Sequence, residues 1–441
     1  MHTVPSPSSS PDVKPPPIEP RLIIGREPAG GQSAFGFARP PSPQTGHLGE
    51  LVFASPESHV VTVAATGGGK FVSCVAPQAL EWPGQLVVVD PKGEAAHVSA
   101  AYREKFGQVI VLDPFGETGL PTDCLNPLDL IEIFGPEALE EQCDLLAAEL
   151  AHGHTSTKDP FWHTSATSIL GGLLMHVGAL EDASKRHLPT MIDMLFTDDV
   201  AYNLAVLLDT KTVKGLAHQR IAAFLQTPDS SSGSTRSCIL STAQQFVSCL
   251  QPARVRQCLV DSSFSLRELR DGTEPITIYL VFPPSKLARF AGLFRLWLRC
   301  ILIALESRTR VPPCRTLMVI DEAAHMAIDG LPTAMSYLRG AGVSIWSLWQ
   351  SLAQIASAYP TDHKAIIENA RVFQAFSLRA TAVADVAGLL GMSIDQVRAL
   401  PPNGQIVAIG DQPPRIIDRI DYRTDPHFRG RAAPNPRYPS L

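Results

Sequence analysis

Short runs of consecutive apolar residues occur in two separate parts of the chain. The runs are 60–64, 86–89 and 109–112 and, after a long gap, 276–282, 317–320, 343–348, 372–376 and 405–409. Strands buried on both faces of a parallel sheet have this continuous, β-branched character. Several runs end in an acidic residue and a turn, as strands do at the ligand-binding edge of an open α/β sheet. The pattern therefore predicts an α/β domain with a mainly parallel sheet.

The segment between these two sets of strands has a different period. Apolar residues recur at helical spacing in five stretches, at 137–152, 165–180, 201–208, 215–225 and 237–250. Strand-like runs are scarce here. We therefore predict an all-α domain over 129–272, inserted into an α/β domain that is made of 49–128 and 273–425.

The two ends of the chain read as loose segments. Residues 1–48 are rich in Pro, Ser and Gly, with seven prolines among the first twenty residues. Such a segment buries too little apolar surface to offset its ordering entropy, so we predict a disordered tail. A linker is favoured over a partner-binding tail. Residues 426–441 are rich in Pro and Arg and are also expected to be loose.

Composition narrows the class of protein. Apolar residues make up 45% of the 441 residues and the net charge is −6, which excludes a globally basic nucleic-acid coat. The eight cysteines form no Cys-x-x-Cys pair and no set with zinc spacing, so they read as reduced thiols. No run of about 18 apolar residues occurs, so we expect no membrane span. The expected location is the cytoplasm, with peripheral attachment at the inner membrane left open.

A glycine-rich turn follows the first apolar run and precedes an apolar, helix-like stretch. Strand, glycine-rich turn, lysine and helix is the layout of a P-loop, in which backbone N–H groups and the lysine bind the phosphates of ATP. The predicted nucleotide-binding residues are Thr66, Gly67, Gly68, Gly69, Lys70 and Phe71. Two positions depart from the pattern: Ala64 replaces the first glycine, and Phe71 replaces the Ser or Thr whose hydroxyl ligates Mg²⁺. An ordinary flexible loop would have a similar local sequence.

An acidic pair follows the apolar run 317–320. Asp321 is expected to hold Mg²⁺ through water, and Glu322 to polarise the water that attacks ATP. Gln350, after the next run, is a candidate for orienting that water. Arg371 and Arg379 are candidates for acting on the nucleotide of a neighbouring subunit. A solvated acidic turn, a hydrogen-bonded glutamine and surface ion pairs are the corresponding non-catalytic interpretations.

Several motifs in this order resemble the TraG-type coupling proteins of type IV secretion and conjugative DNA transfer. Besides the P-loop, the matching stretches are 82–84, 89–94, 113–116, 126–129, 159–162, 279–284, 321–325, 348–355 and 400–402, together with Arg295. The resemblance covers about residues 60 to 436. It implies a RecA-like P-loop NTPase domain with an inserted all-α domain that reads substrates. It also implies ATP and Mg²⁺ as cofactors and a homo-hexamer with nucleotide bound between subunits.

The resemblance further implies partners, which are DNA with its relaxase, or secreted proteins, and the components of a type IV secretion channel at the inner membrane. Proteins of this kind usually carry an N-terminal membrane anchor, which the sequence does not show. We claim no DNA-contact residues, because the modest basic cluster of Lys286, Arg289, Arg295 and Arg299 fits a solvated helix face or a subunit contact equally well.

Two functions stay open at this point. One is a motor in which ATP hydrolysis drives DNA or protein substrates toward the channel. The other is a nucleotide-binding adaptor that recruits substrates with little or no turnover. Ala64 and Phe71 favour the adaptor, whereas Asp321, Glu322 and Gln350 favour the motor. A third interpretation, a chromosome-segregation or helicase-type translocase, shares the fold but not the Asp-Pro-Phe and Pro-Pro motifs.

Overall fold

The computed structural model describes residues 19–29, 48–154, 160–230, 233–326, 328 and 330–437. Most of the tail predicted for 1–48, and residues 438–441 of the predicted C-terminal tail, lie outside these ranges. Within the described ranges the chain forms thirteen strands. They are β1 (Leu22–Arg26), β2 (Leu51–Ala54), β3 (His59–Ala64), β4 (Gln85–Val89), β5 (Gln108–Leu112), β6 (Asp229–Ser230), β7 (Gly233–Ser234), β8 (Ile276–Leu280), β9 (Thr316–Ile320), β10 (Val343–Trp349), β11 (Ala370–Phe376), β12 (Gly404–Ile409) and β13 (Arg415–Asp418).

Eleven of these strands form one sheet in the order β2-β1-β13-β12-β11-β3-β10-β9-β4-β8-β5. The seven strands from β11 to β5 run parallel to their neighbours. The other four, β12, β13, β1 and β2, continue the sheet in antiparallel pairing. All eight apolar runs are strands, and the prediction of a mainly parallel sheet is confirmed.

The parallel strands are buried because helices cover both of their faces. Every residue of β4, β8, β9 and β10 is buried, as expected for continuous apolar runs in a doubly covered sheet. Alternate residues of each strand point into two different cores: Val87 and Val89 into one, and Leu86 and Val88 into the other. The first core continues without a break into the helical region.

Eighteen α-helices occur in the described ranges. They are α1 (Ala76–Glu81), α2 (Glu94–Arg103), α3 (Ile131–Phe134), α4 (Leu139–Ala151), α5 (Pro160–Gly178), α6 (Leu188–Leu195), α7 (Val200–Asp209), α8 (Gly215–Gln226), α9 (Thr235–Phe246), α10 (Ala253–Gln257), α11 (Leu266–Asp271), α12 (Pro284–Glu306), α13 (Ala323–Met326), α14 (Leu331–Tyr337), α15 (Leu352–Ala358), α16 (His363–Asn369), α17 (Ala380–Leu390) and α18 (Ile394–Arg398). None of them is both long and apolar enough to cross a membrane.

Helices α3 to α11 lie between β5 and β8, where the helical period of the sequence places them. The apolar helix α5 is the centre of this region and packs on α4, α8 and α9. The short hairpin of β6 and β7 is the strand pair within it. That this region is a separate domain with the bounds 129–272 stays a prediction.

A small polar network joins the entrance and the exit of the helical region. The backbone N–H of Asn126 donates to Ser262 Oγ at 2.9 Å, and Ser262 Oγ donates to Asp129 Oδ2 at 2.5 Å. Asn126 Nδ2 donates to Asp129 Oδ1 at 2.9 Å. The Asn-Pro-Leu-Asp motif at 126–129 therefore closes the loop from which the helices project.

Two stretches that the sequence patterns assign to loose ends are structured instead. Residues 22–26 form β1, which lies between β2 and β13 and buries Leu22, Ile23 and Ile24. This apolar stretch is short enough to be masked by the surrounding prolines and glycines. Near the other end, Phe428 and Asn435 are buried, and the N–H of Ala433 donates to the Val98 carbonyl at 2.9 Å. Residues 426–437 therefore pack on α2 rather than hanging free.

Candidate nucleotide site

The glycine-rich loop leaves the sheet between two parallel strands. Strand β3 ends at Ala64, which lies opposite Phe376 at the end of β11. The loop then runs to Lys70 and enters a π-helical turn, Phe71–Val75, that continues into α1. Gly69 has φ +91°, a conformation that side chains disfavour. A Cβ on Gly68 would lie 2.8 Å from the Ala65 carbonyl oxygen and 2.9 Å from Ser377 Cβ. The loop conformation thus depends on its glycines.

Ala64 and Lys70 are linked within the loop. Ala64 is the last residue of β3 and is buried, so the missing first glycine falls where the backbone is still extended. Lys70 is buried, and its Nζ donates to the Ala64 carbonyl at 3.0 Å. The lysine ammonium is therefore folded over the loop, in the position from which it can meet phosphate oxygens.

The acidic pair follows β9, two strands away from β3. The N–H of Asp321 donates to the Val89 carbonyl at 3.2 Å, which ties the end of β9 to β4. Burial, and secondarily the charge of Glu322, raises the pKa of Asp321 to about 6, although Lys92 and Lys70 oppose the shift. Burial disfavours the ionised form of this carboxylate, and a cation bound nearby would favour that form.

These groups fit Mg²⁺ better than a metal held by protein alone. Within the described part of the chain no three His, Cys, Asp or Glu side chains gather as a metal cage. Magnesium commonly takes one or two carboxylates, with substrate phosphates and water as its remaining ligands. Asp321 would supply the carboxylate here.

Glu322 is held by a glutamine from the strand between β3 and β9. Gln350, directly after β10, donates from Nε2 to Glu322 Oε2 at 3.0 Å. Its own N–H donates to Gln354 Oε1 at 2.9 Å. Glu322 has φ +51°, a left-handed conformation that is unusual for a residue with a side chain. The glutamine hydrogen bond fixes a carboxylate that can accept a proton from water.

These elements surround one cavity of about 450 Å³. It is lined by residues 66–71 of the loop with Val72 and Ser73, by Lys92 and Glu94, by Asp321 and Glu322, and by Asn403, Arg419, Ile420, Asp421 and Arg423. The fold brings the glycine-rich loop and the acidic pair to one cavity, as their positions after parallel strands predict. The stretch 89–94, which carries part of the family resemblance, also reaches the cavity, because Lys92 and Glu94 follow β4 at the same edge of the sheet.

Residues between 403 and 423 form a wall of the cavity that no sequence motif predicts. The arginines of this stretch alternate with aspartates, and Asp421 and Arg423 do pair with each other, at 2.6 Å. That alternation hides Arg419, which has no such carboxylate partner among the described residues. The available signal was the position of Arg419 directly after a strand-like stretch, where this sheet places its functional side chains.

Phe71 turns its ring toward this same wall. The ring meets Tyr422 edge-on, with 6.0 Å between ring centroids and 89° between ring planes. It also packs against buried apolar side chains on both sides of the first turn. Its bulk is thus accommodated by packing. Ser73, two residues further on in the π-helical turn, also lines the cavity.

Arg371 and Arg379 lie outside the cavity. Arg371 is exposed near the start of β11, at the sheet edge opposite the glycine-rich loop, and its carbonyl accepts from the N–H of Gly410 at 2.7 Å. Arg379 is exposed just after the end of β11, at the same edge as the loop. A role for either on a neighbouring subunit stays a prediction.

The candidate basic cluster is divided among separate contacts. Arg295 donates from Nη2 to the His152 carbonyl at 2.7 Å and lies 3.2 Å from Glu149. Arg299 pairs with Glu306, and Lys286 lies over the ring of Phe115. These contacts give no reason to assign DNA binding to this cluster.

Residues 37–387 match the family described as type IV secretory system, conjugative DNA transfer. The match covers most of the chain. The chain belongs to this family. The resemblance inferred from the motifs is therefore confirmed.

Relatives within the coupling-protein family are distant in sequence. The conjugal transfer protein TraG of Escherichia coli is 26% identical over 330 residues, which are 71% of this chain and 51% of TraG. The VirD4 protein of Rhizobium radiobacter is 22% identical over 416 residues, 86% of this chain and 59% of VirD4. The chain spans about half the length of the curated relatives it matches.

Solved structures of other proteins share the fold of this chain. The plasmid coupling protein TrwB in complex with ADP and Mg²⁺ has a TM-score of 0.60 at 15% identity, covering 83% of this chain and 86% of TrwB. VirB4 of Thermoanaerobacter pseudethanolicus has a TM-score of 0.53 at 12% identity, covering 93% of this chain and 98% of VirB4. The fold is the RecA-like P-loop fold that the motifs imply.

Proposed function

We propose that this member of the coupling-protein family binds ATP with Mg²⁺ and hydrolyses it to deliver substrates to a type IV secretion channel. The substrates are DNA with its relaxase, or secreted proteins. The observation that carries the proposal is one cavity that contains Lys70, Asp321 and Glu322, with Gln350 hydrogen-bonded to Glu322. A protein that only recruited substrates would not need a glutamine positioned on the carboxylate beside its phosphate loop.

Each residue has a role that its position supports. The loop N–H groups and Lys70 bind the β- and γ-phosphates. Asp321 would hold Mg²⁺, which when bound would supply positive charge at the phosphate oxygens. Glu322 accepts a proton from the attacking water, and Gln350 holds Glu322 in the orientation to do so. Arg379, at the same sheet edge, is the better placed of the two arginines to reach the nucleotide of a neighbouring subunit, and Arg371 is the weaker candidate.

The relatives add support for nucleotide and assembly. TrwB has been solved with ADP and Mg²⁺ and with the ATP analogue ADPNP, and we extend nucleotide and Mg²⁺ binding to this chain. We also propose a homo-hexamer, which the family resemblance implies and in which Arg379 or Arg371 would act on the nucleotide of a neighbouring subunit. Channel components at the inner membrane are the proposed partners.

ATP turnover with and without DNA tests the motor function. We expect turnover by the wild-type protein that DNA stimulates and that Lys70→Ala and Glu322→Gln abolish. The two variants separate binding from chemistry, because only Lys70→Ala should also weaken binding of ADP. Sedimentation with ATP and DNA checks hexamer formation in the same samples.

Background turnover in folded, hexameric wild-type protein that is supplied with Mg²⁺ and DNA would contradict the motor. If such protein still binds ADP and Lys70→Ala does not, the adaptor function takes its place. The accommodation of Ala64 at the end of β3 and of Phe71 against Tyr422 leads us to expect turnover.

A further inference from the structure

The carbonyl group of Gly68, in the middle of the phosphate loop, is bound from outside the loop by an arginine. Arg419 Nη1 donates to the Gly68 oxygen at 2.6 Å, and Ser377 Oγ donates to the same oxygen at 3.2 Å. Arg419 follows β13, in the antiparallel part of the sheet, and is far from the loop in sequence. The loop is therefore held by a second segment of the chain at its most constrained glycine.

The other end of the guanidinium is anchored as well. Nη2 of Arg419 donates to the Pro402 carbonyl at 2.6 Å, and its backbone N–H donates to the Asn403 carbonyl at 2.7 Å. The guanidinium carbon lies 5.0 Å from the centre of the Phe376 ring. The planar fork of arginine suits this bridge, because two nitrogens point at two carbonyls in fixed directions. A lysine ammonium at the same place would reach only one of them.

This bridge fixes the orientation of one peptide plane. A trans peptide is planar, so the carbonyl of Gly68 and the N–H of Gly69 point in opposite directions. With the Gly68 oxygen bound to Arg419, the Gly69 N–H is turned away from the arginine. Gly69 lines the cavity at φ +91°, so without the bridge its freedom would let the peptide rotate.

The arginine also brings charge to the cavity. Arg419 lines it together with Lys70, and Arg419 Nε is buried with no hydrogen-bond partner among the described residues. A cation attracts anions more strongly when it is partly removed from water, so the charge of Arg419 favours anions beside the loop.

We propose that Arg419 is a positioning residue of the phosphate site, which bridges Gly68 and Pro402 and so holds the loop in the conformation that receives the phosphates of a nucleotide. The inference rests on the proposed binding of nucleotide by Lys70 and the loop. It assigns a function to the antiparallel end of the sheet, which carries none of the P-loop motifs.

Calorimetric titration of purified protein with ADP and, separately, with pyrophosphate tests the role. We expect Arg419→Ala to weaken the binding of both ligands by the same factor, about tenfold to a hundredfold. The substitution removes a hydrogen bond from a charged donor and frees the loop. The affinity of Arg419→Lys for both ligands should be well below that of wild type, because lysine retains the charge but cannot bridge the two carbonyls. Arg415→Ala is the matched control: Arg415 lies in β13, the strand that Arg419 follows, pairs with Glu27 and does not line the cavity.

The outcomes separate this inference from the proposed function. If wild type and Lys70→Ala bind ADP equally weakly, nucleotide binding itself fails. If Lys70→Ala loses binding while Arg419→Ala binds within twofold of wild type, the role of Arg419 is refuted. Wild-type affinity in Arg419→Lys would likewise refute the bridge and leave only a charge effect. Thermal melting without ligand checks folding, and should Arg419→Ala not fold, Arg419→Lys and Arg419→Gln carry the test.

Discussion

The parallel and antiparallel parts of the sheet contribute differently to the same cavity. The parallel part supplies the phosphate loop after β3 and the acidic pair after β9, and Gln350 after β10 donates a hydrogen bond to Glu322. The antiparallel part, β12, β13, β1 and β2, supplies Asn403 and Arg419 and leads into Tyr422 and the packed residues up to 437. The residues proposed to carry out hydrolysis lie on the parallel part of the sheet, whereas Arg419, whose guanidinium binds the Gly68 carbonyl, comes from the antiparallel part. Substitutions in the two halves should therefore affect different measured quantities.

The largest effect on stability is expected at the ion pair that joins the end of β1 to the segment after β13. Arg26 and Asp425 form a two-pronged ion pair, at 2.6 and 2.8 Å, with side chains 13% and 5% exposed. Arg26→Ala leaves a nearly buried carboxylate without its partner and should lower the free energy of unfolding by roughly 2–4 kcal/mol. Urea denaturation measures it. The exposed pair of Lys185 and Asp182 is the control, and Lys185→Ala should cost no more than about 0.5 kcal/mol.

In the parallel part, Gln350→Ala should lower kcat for ATP by about a hundredfold and leave the Kd for ADP unchanged, because it frees the Glu322 carboxylate without touching the loop. Steady-state turnover and ADP titration on the same preparation check both numbers. The reverse pattern, a weakened Kd with unchanged kcat, would break the division between chemistry and wall.

His59 lies at the end of β3 that is furthest from the loop and should affect stability but not nucleotide binding. Burial, and secondarily the charge of Arg339, lowers the pKa of His59 to about 4, and its Nδ1 accepts from the Ile345 N–H at 2.9 Å. Between pH 6.5 and about 4 the unfolded chain binds a proton that the folded chain does not. The histidine therefore costs no stability above pH 6.5 and lowers it as the pH falls through this window.

His59→Asn keeps an acceptor for the Ile345 N–H and removes the titration. The variant should lose about 2 kcal/mol less than wild type between pH 7 and pH 5. Urea denaturation at the two pH values measures this, and identical losses would rule out the buried neutral imidazole. The Kd for ADP at pH 7 should match wild type.

The smallest effect is expected at Phe71, where the two halves meet. Phe71→Leu removes the edge-on contact with Tyr422 and should lower the free energy of unfolding by about 1 kcal/mol. Turnover should change less than about threefold, because the ring serves packing. A tenfold change in turnover would place Phe71 among the residues that contact nucleotide.

The sequence alone was enough to predict the parallel half, since doubly buried strands leave an unmistakable apolar run and the loop and acidic pair have characteristic spacing. In the antiparallel half it was enough only for β12, whose apolar run spans 405–409. β1 is five residues long among prolines, and β2 and β13 are four residues each, too short for a periodic signal. Arg419 was missed for a different reason: its partners are backbone carbonyls, which every residue carries and no motif marks.

The position of β1 between β2 and β13 also bears on how the chain is made. The Arg26–Asp425 pair joins residues 399 positions apart, so this corner of the sheet has a very high contact order. A chain emerging from the ribosome can pair β1 with β2 and assemble the glycine-rich loop and the acidic pair while β1 still lacks its second neighbour, β13. The unpaired edge of β1 stays open to wrong partners until residues beyond β13 have been synthesised. The last part of the sheet to close is thus the part from which Arg419 reaches the Gly68 carbonyl of the glycine-rich loop.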